Sequence, residues 1–250
     1  MGEGDARQRH AASFGVAAAA YDRGRPAYPE AALDWLLPAG GGPLRVLDLG
    51  AGTGKLARQL VGRGLDVVAV DPSPGMLDQL RRASPGMTAL AGSAEAIPLD
   101  AGSVDLVVVA QAWHWVDPAK AVPEVARVLK PGGRLGLLWN CRDPRPDGWT
   151  ADLARLMGRL GGMEDDSADP PVGPPFGAVA RLDVPWSQPI TAEGLVDLVA
   201  SRSYVIVLPP DERARVLDAV RAIAAGEPGF AAGGRVPMPY VTRCSRADLA

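Results

Sequence analysis

The sequence predicts an α/β fold built on a doubly wound, mostly parallel sheet. Three observations predict it. From residue 44 to residue 140, short apolar runs of strand length alternate with stretches of helical period. That is the pattern of repeated βαβ units with right-handed crossovers. The first run, Leu44 to Leu49, is apolar on both faces and opens into Gly50-Ala51-Gly52-Thr53-Gly54-Lys55, as expected of a covered strand that turns sharply into a helix. Asp48 and Asp71 each stand at the end of a predicted strand, on the edge where open α/β sheets bind ligands.

The elements follow in order. Residues 1–10 are polar and read as a tail. Phe14 to Ala20 reads as a helix, broken by Tyr21-Asp22-Arg23-Gly24-Arg25-Pro26-Ala27-Tyr28-Pro29. Pro29 opens the next helix, with Leu33, Leu36 and Leu37 toward the core. Strand 1 covers 44–49 and its helix 54–62. Strand 2 runs from Asp66 to Val70 and ends in Asp71. Ser73 is placed to cap a helix with Pro74 in its first turn and Met76, Leu77 and Leu80 on its apolar face. Strand 3 is Met87 to Leu90 and strand 4 is Val104 to Ala110. Asp117-Pro118 starts a helix with Val122, Val125, Val128 and Leu129 on one face. Pro123 kinks it or marks its true start, and Pro131-Gly132-Gly133 stops it. Strand 5 is Arg134 to Trp139. A helix over 149–160, a mobile Gly/Pro-rich loop over 161–177, strand 6 over 179–186, helices over 191–201 and 210–225, and a last strand over 237–243 complete the chain.

Composition narrows the function. A chain of 250 residues, 47% hydrophobic and 22% charged, is globular. Its net charge of -3 argues against a partner held by nucleic-acid phosphates. Lys55, Lys120 and Lys130 are the only lysines, so the arginine bias reads as a coding habit rather than a phosphate signal. With no run of membrane-span length and no secretory signal in residues 1–10, the default is a cytoplasmic protein with no membrane partner. Cys141 and Cys244 form no disulfide or metal framework, and no metal is expected. The strand order places these thiols at opposite edges of the sheet.

Three ligands compete for the glycine turn: a nicotinamide dinucleotide, a nucleotide phosphate and S-adenosylmethionine (SAM). The dinucleotide fingerprint is G-x-G-x-x-G, whereas Gly50, Gly52 and Gly54 give G-x-G-x-G behind an acidic residue. A P-loop needs a longer glycine spacing and a hydroxyl after its lysine; Leu56 stands there. SAM has no phosphate and carries a sulfonium and an ammonium, which suit Asp48. Asp71 suits the ribose hydroxyls of either adenosine ligand. The loop Gly92 to Leu99 is able to frame an adenine edge. Gln111-Ala112-Trp113-His114-Trp115-Val116-Asp117 follows strand 4 on the same sheet edge.

The runs VLDLGAGTGKL, AVDPSPGML, GSAEAIPL, AQAWHWVD and ARVLKPGGRL, with FGVAAAAYDRGRPAYP in front, resemble the class I SAM-dependent methyltransferases. More narrowly, they resemble the small-molecule branch of trans-aconitate methyltransferase-like proteins. The resemblance covers residues 14–140. It implies a Rossmann-like, seven-stranded sheet whose last strand is antiparallel, with helical lid elements. One domain would span 1–250: an N-terminal helical lid (1–40), a SAM-binding core (41–142) and a C-terminal half (143–250) with a helical insertion at 191–225.

By position, Asp48, Gly50, Ala51, Gly52 and Gly54 would hold the methionine part of SAM, and Asp71 the ribose. Pro72 and Met76 would line the adenine. Ser93, Ala94 and Glu95 would contact it, with serine where many relatives carry aspartate. Gln111 would lie near the methyl group. Tyr21, Arg25, Tyr28, Trp113, Trp115 and Asn140 are the acceptor-side candidates. The implied reaction is in-line displacement onto a small molecule, leaving S-adenosylhomocysteine, by a monomer or homodimer. Such a reaction needs chiefly positioning and exclusion of water. His114 is a candidate base, a substrate contact or a structural group that fixes its loop. A SAM- or metabolite-binding protein of the same fold without turnover is the alternative function.

Overall fold

A computed structural model describes residues 25–38, 44–143, 147–160 and 170–250. The expected helix over 14–20, Tyr21 and the segment 161–169 lie outside these. Seven strands form one sheet in the order β3-β2-β1-β4-β5-β7-β6. Six strands are parallel and one is antiparallel. They are β1 (Arg45–Leu49), β2 (Asp66–Asp71), β3 (Thr88–Ala91), β4 (Val104–Ala110), β5 (Leu129–Arg142), β6 (Ala180–Ile190) and β7 (Val236–Asp248). The helices are α1 (Glu30–Leu36), α2 (Lys55–Gly62), α3 (Pro74–Ala83), α4 (Pro118–Val128), α5 (Gly148–Arg159), α6 (Ala192–Ala200), α7 (Ser203–Ile206), α8 (Pro210–Gly226) and α9 (Pro228–Ala231).

The chain forms two compact units. The first comprises Ala27–Asn140, Ser167–Val184 and Thr242–Ala250. Its core sets the helix faces of α1 and α2 (Leu33, Leu36, Leu56, Leu60) against strand residues such as Val46, Val67, Leu106 and Leu138. The expected apolar face of α3 is buried in full at Met76, Leu77 and Leu80. The second unit comprises Met1–Pro26, Cys141–Asp166 and Pro185–Val241. Its described residues pack a separate core from α5, α6, α8 and α9, with Leu153, Leu195, Leu198, Val216, Val220 and Phe230 among its members.

Registry places the first unit's ligand edge. β1 lies between β2 and β4, with Asp48 opposite Ala69 on one side and Val108 on the other. The chain winds outward from β1 to β3, then restarts at β4 on the other side of β1. The crevice at such a reversal, outside the carboxyl ends of the strands, is where this architecture takes ligands.

Several boundaries differ from the sequence expectation, each for a local reason. Pro29 is the N-cap of α1 rather than its first helical residue. Pro123 sits inside α4, which starts at Pro118. Pro131-Gly132-Gly133 belongs to β5: β4 pairs with Leu129, skips, and resumes at Arg134. A Cβ on Gly133 would come within 2.8 Å of the Lys130 carbonyl, so this tight irregularity requires glycine there. β6 carries Pro185 and Pro189 and lies at the sheet edge, where a missing N–H is tolerated. The end of the expected mobile loop is held in place: Phe176 is buried and bridges Leu249. β7 runs on to Asp248, so Cys244 lies inside that strand and not beyond it. Both cysteines are free thiols. None of the described helices is long and apolar enough to cross a membrane.

Leu33 is 1% exposed on α1. Replacing it with alanine should destabilise the protein by about 2–5 kcal/mol, read as a lower urea midpoint with an unchanged denaturant slope.

Candidate functional site

The loops after β1, β2, β3 and β4 meet within the first unit. The turn after β1 is pinned to β2: the N–H groups of Gly50 and Ala51 both donate to the Val70 carbonyl, at 2.8 and 3.1 Å. Gly50, Gly52 and Gly54 all have left-handed φ, at 74°, 56° and 81°, a region open to glycine at little cost. Their surroundings differ. A Cβ on Gly50 would strike the Ala112 Cβ at 2.8 Å, and one on Gly54 the Leu80 side chain at 2.7 Å. A Cβ on Gly52 would meet nothing within 4 Å. Two of the glycines are thus required by close packing against the loop after β4 and against α3. The third faces open space.

Asp48 is 1% exposed, beneath this turn. The Ala57 N–H in the first turn of α2 bonds its carboxylate, but Oδ2 has no partner among the described residues. Burial pushes its pKa up to about 7; the Ala57 bond only partly offsets this, and the nearby Asp71 charge adds to it.

Asp71 is also buried. Its Oδ2 accepts from the Gly52 N–H at 2.8 Å and its Oδ1 from the Ser73 N–H at 2.8 Å. Burial raises its pKa against those two bonds. Each oxygen keeps a second lone pair. Ser73 occupies the N-cap of α3 as expected, yet its side chain makes no capping bond. The N-cap position is as expected, without the hydroxyl bond, and the Ser73 N–H itself is received by Asp71. No basic side chain bonds either carboxylate among the described residues. The turn is an anionic, glycine-lined cradle, suited to a cationic, hydroxyl-bearing ligand and poorly suited to phosphate.

The loop after β3 is held firmly by α4. Ser93 and Ala96 bridge each other, and Ala94 is buried. Glu95 Oε1 accepts from the Asp117 N–H at 2.9 Å, so this side chain ties the loop to the start of α4. Glu124 Oε2 accepts from the Ile97 N–H at 3.0 Å. Arg127 donates to the carbonyls of Ile97 and Leu99, at 2.9 and 2.8 Å. The Arg127 hydrogen bond to Glu124 brings the Glu124 pKa down to about 2, against partial burial. Pro72 is exposed and Met76 is buried.

The loop after β4 begins at Gln111, the non-glycine residue with positive φ (57°) among those described. Trp113, His114 and Trp115 form a single 3-10 turn. Trp113 is 2% exposed, and its indole N–H has no partner among the described residues. His114 and Trp115 are exposed, their rings 4.7 Å apart.

The acceptor-side candidates are placed less uniformly. Tyr28 is buried in the first unit's core, and Gln59 on α2 brackets its backbone: the Tyr28 N–H donates to Oε1 and Nε2 donates to the Tyr28 carbonyl, both at 2.9 Å. Arg25 belongs to the second unit, where it donates to the Ser201 carbonyl at 3.5 Å. Asn140 is buried, with both ends of its amide engaged by protein. Gln59, Glu124, Arg127 and Thr242 were not singled out from sequence, and Leu80 and Asp117 were read only as part of a core face and as a helix start. Their roles rest on contacts across 22 or more positions in several cases, which no local motif encodes.

A methyltransferase domain model matches residues 47–137. An uncharacterised methyltransferase of Mycobacterium tuberculosis is 58% identical over 238 residues, covering 95% of this chain and 96% of the relative. An uncharacterised methyltransferase-like protein of Schizosaccharomyces pombe is 35% identical over 240 residues, covering 92% and 93%. Among solved structures, a candidate type II methyltransferase from Anaeromyxobacter dehalogenans superposes with a TM-score of 0.63 at 25% identity, covering 90% of this chain and 97% of that one.

The raised pKa of Asp48 has a definite stability consequence. Its folded value of about 7 lies above its ordinary 3.8. Its contribution to stability is therefore fully present at low pH and is lost as pH rises through about 7. The span is worth on the order of 4 kcal/mol. Asp48→Asn should make the ligand-free protein more stable than wild type at pH 8, with the gap shrinking toward pH 5. Thermal melts across that range check it.

Proposed function

The chain belongs to the methyltransferase family, and from that membership we propose that it transfers a methyl group from SAM to a small-molecule acceptor. One observation carries the reading. The glycine turn covers a buried acidic residue, Asp48, one of whose oxygens has no partner among the described residues, beside an open glycine, Gly52. A cation over this turn would relieve the cost of ionising Asp48, through the low-dielectric interior as well as by contact. A pyrophosphate would aggravate it.

In this reading Asp48, Gly50, Ala51, Gly52 and Gly54 hold the amino-acid end of the donor. Asp71, held by the Gly52 and Ser73 N–H groups, offers its remaining lone pairs to the ribose hydroxyls. Pro72, Ser93, Ala94 and Glu95 border the adenine and Met76 backs that side. For Glu95 the support is indirect, through its bond to Asp117. Gln111 stands at the reactive end. When bound, SAM supplies a methyl group on a sulfonium, which departs as S-adenosylhomocysteine after in-line attack. The protein's own contribution is to orient the acceptor and exclude water. His114 and Trp115, exposed beyond Gln111, border the acceptor; His114 takes the proton of a protonated nucleophile, and a carboxylate acceptor needs no such base. The resemblance to trans-aconitate methyltransferase-like proteins supports a small, soluble acceptor.

Calorimetry with SAM, S-adenosylhomocysteine and NAD tests the donor, with tighter NAD binding overturning it. Gly52→Ala should fold, at a cost of about 1–2 kcal/mol for a left-handed alanine, and should lose S-adenosylhomocysteine binding by at least about tenfold because the new methyl occupies the open space. Incubation with methyl-labelled SAM and a panel of small hydroxy, amino and carboxylic acids then identifies the acceptor. With an acceptor that carries a proton on its nucleophile, His114→Ala should lower kcat by about 10²-fold or more and leave S-adenosylhomocysteine affinity unchanged.

A further inference from the structure

The carboxyl ends of β4 and β5 are joined by a buried hydrogen-bonded knot that the donor reading does not use. Asn140 is 3% exposed. Its Nδ2 donates to the Ala27 carbonyl at 2.8 Å, and its Oδ1 accepts from the Thr242 hydroxyl at 2.6 Å. Its own carbonyl accepts from Gln111 Nε2 at 3.2 Å. The Gln111 N–H, in turn, donates to the Leu138 carbonyl at 2.9 Å. One residue thus gathers four stretches: its side-chain amide joins the end of β5 to β7 and to the segment leading into α1, and its main-chain carbonyl receives the start of the loop after β4. That segment is held a second time at Tyr28 by Gln59, on the helix that begins at the glycine turn.

Packing alone does not explain this arrangement. A buried amide is costly unless its polar atoms are paired, and an apolar side chain would fill the same space. A left-handed φ at Gln111 is a strain that glycine would remove. The sequence keeps both costs where strands β4 and β5 reach the ligand edge. An interaction of Gln111 that glycine cannot supply accounts for the strained residue, and the Asn140 carbonyl receives its side chain.

We propose that Asn140 and Thr242 are positioning residues for methyl transfer: they hold Gln111 at the donor's reactive end and fix the Ala27–Tyr28 segment beside it. Neither touches the reacting atoms. Thr242 locks the Asn140 amide so that Nδ2 faces Ala27, and Asn140 anchors the Gln111 side chain. The inference rests on the donor reading above; it gives Asn140 a positioning role in place of an acceptor contact and adds Thr242, which was not singled out from sequence.

S-adenosylhomocysteine binding to the full chain, measured by calorimetry alongside thermal melts, tests it with three variants. Gln111→Gly relieves the backbone strain, so its melting temperature should hold or rise while affinity falls about tenfold; a purely structural residue would not separate the two. Thr242→Val keeps shape but removes the hydroxyl, and affinity should fall about fivefold. Thr242→Ser keeps the hydroxyl and should restore it. Wild-type affinity, within twofold, in both Gln111→Gly and Thr242→Val overturns the proposal while leaving the donor reading intact. So does a Thr242→Ser variant as weak as Thr242→Val. If the wild-type protein does not bind S-adenosylhomocysteine, the donor reading falls and the inference falls with it.

Discussion

The first unit is organised around two carboxylates buried in one glycine turn. Asp71 accepts the Gly52 N–H, and Asp48 lies under the same turn with one oxygen unpaired among the described residues. Burial raises the cost of ionising each, and the Asp71 charge adds to that of Asp48. A fold free to optimise its own stability would neutralise one of them or pair it with a basic side chain. Instead the turn is tied to the Val70 carbonyl, seated against Ala112 and Leu80, and kept in left-handed conformations. Two carboxylates that are costly to ionise are held rigidly at one turn, which supports the cationic ligand proposed above rather than a structural ion pair.

The rest of the sheet edge is consistent with that constraint. β1 delivers Asp48 and β2 delivers Asp71 to adjacent strand ends, in register across Leu49 and Val70. β4, on the other side of β1, delivers a loop close enough that any side chain at Gly50 would collide with it. The position of this loop therefore depends on glycine at 50, and the turn depends on Asp71 for one of its N–H groups. A change at Asp71 releases the Gly52 and Ser73 N–H groups, and a side chain at Gly50 displaces the loop after β4.

Much of this was legible because it is local. Strand and helix periods gave β1 to β4 within a residue or two, and the face of α3 matched residue for residue; α4 buries Val122, Val125 and Val128 as expected, with Ala121 in place of Leu129, which opens β5. G-x-G-x-G after Asp48 announced the turn, and Asp71 announced the second acid. What was not legible depends on distant partners or on competition between equally good local choices. Ser73 has the ideal residue type for an N-cap, yet its own N–H goes to a buried carboxylate two residues earlier. Pro131-Gly132-Gly133 reads as a stop, and a strand resumes through it because Arg134 regains register with Leu106. Phe176 sits in a Gly/Pro-rich stretch without periodicity, and a single buried ring anchors it. Cys244 seemed to follow the last strand because the alternation fades after Arg243; pairing carries β7 further. Asn140 looked like a residue facing a ligand, and its partners Ala27 and Thr242 lie 113 and 102 positions away.

The same distinction separates the two halves of the site in energetic terms. The loop after β3 is fastened to α4 at Asp117, Ile97 and Leu99 before any ligand arrives, and the glycine turn is fastened to β2. Such preorganisation lowers the ordering cost of binding; at the glycine turn it rests on backbone groups in a short motif, and at the loop after β3 on the side chains of Glu95, Glu124 and Arg127. Beyond Gln111 the character changes: His114 and Trp115 stand exposed on a single 3-10 turn, while Trp113 beneath them is buried with an unpaired donor. A side that must fit one acceptor is set by side-chain shape, and shape carries no fixed spacing. In the proposed reading, the loops after β1 to β3 serve the donor and the turn after Gln111 serves the acceptor, a division suited to one cofactor that serves many substrates.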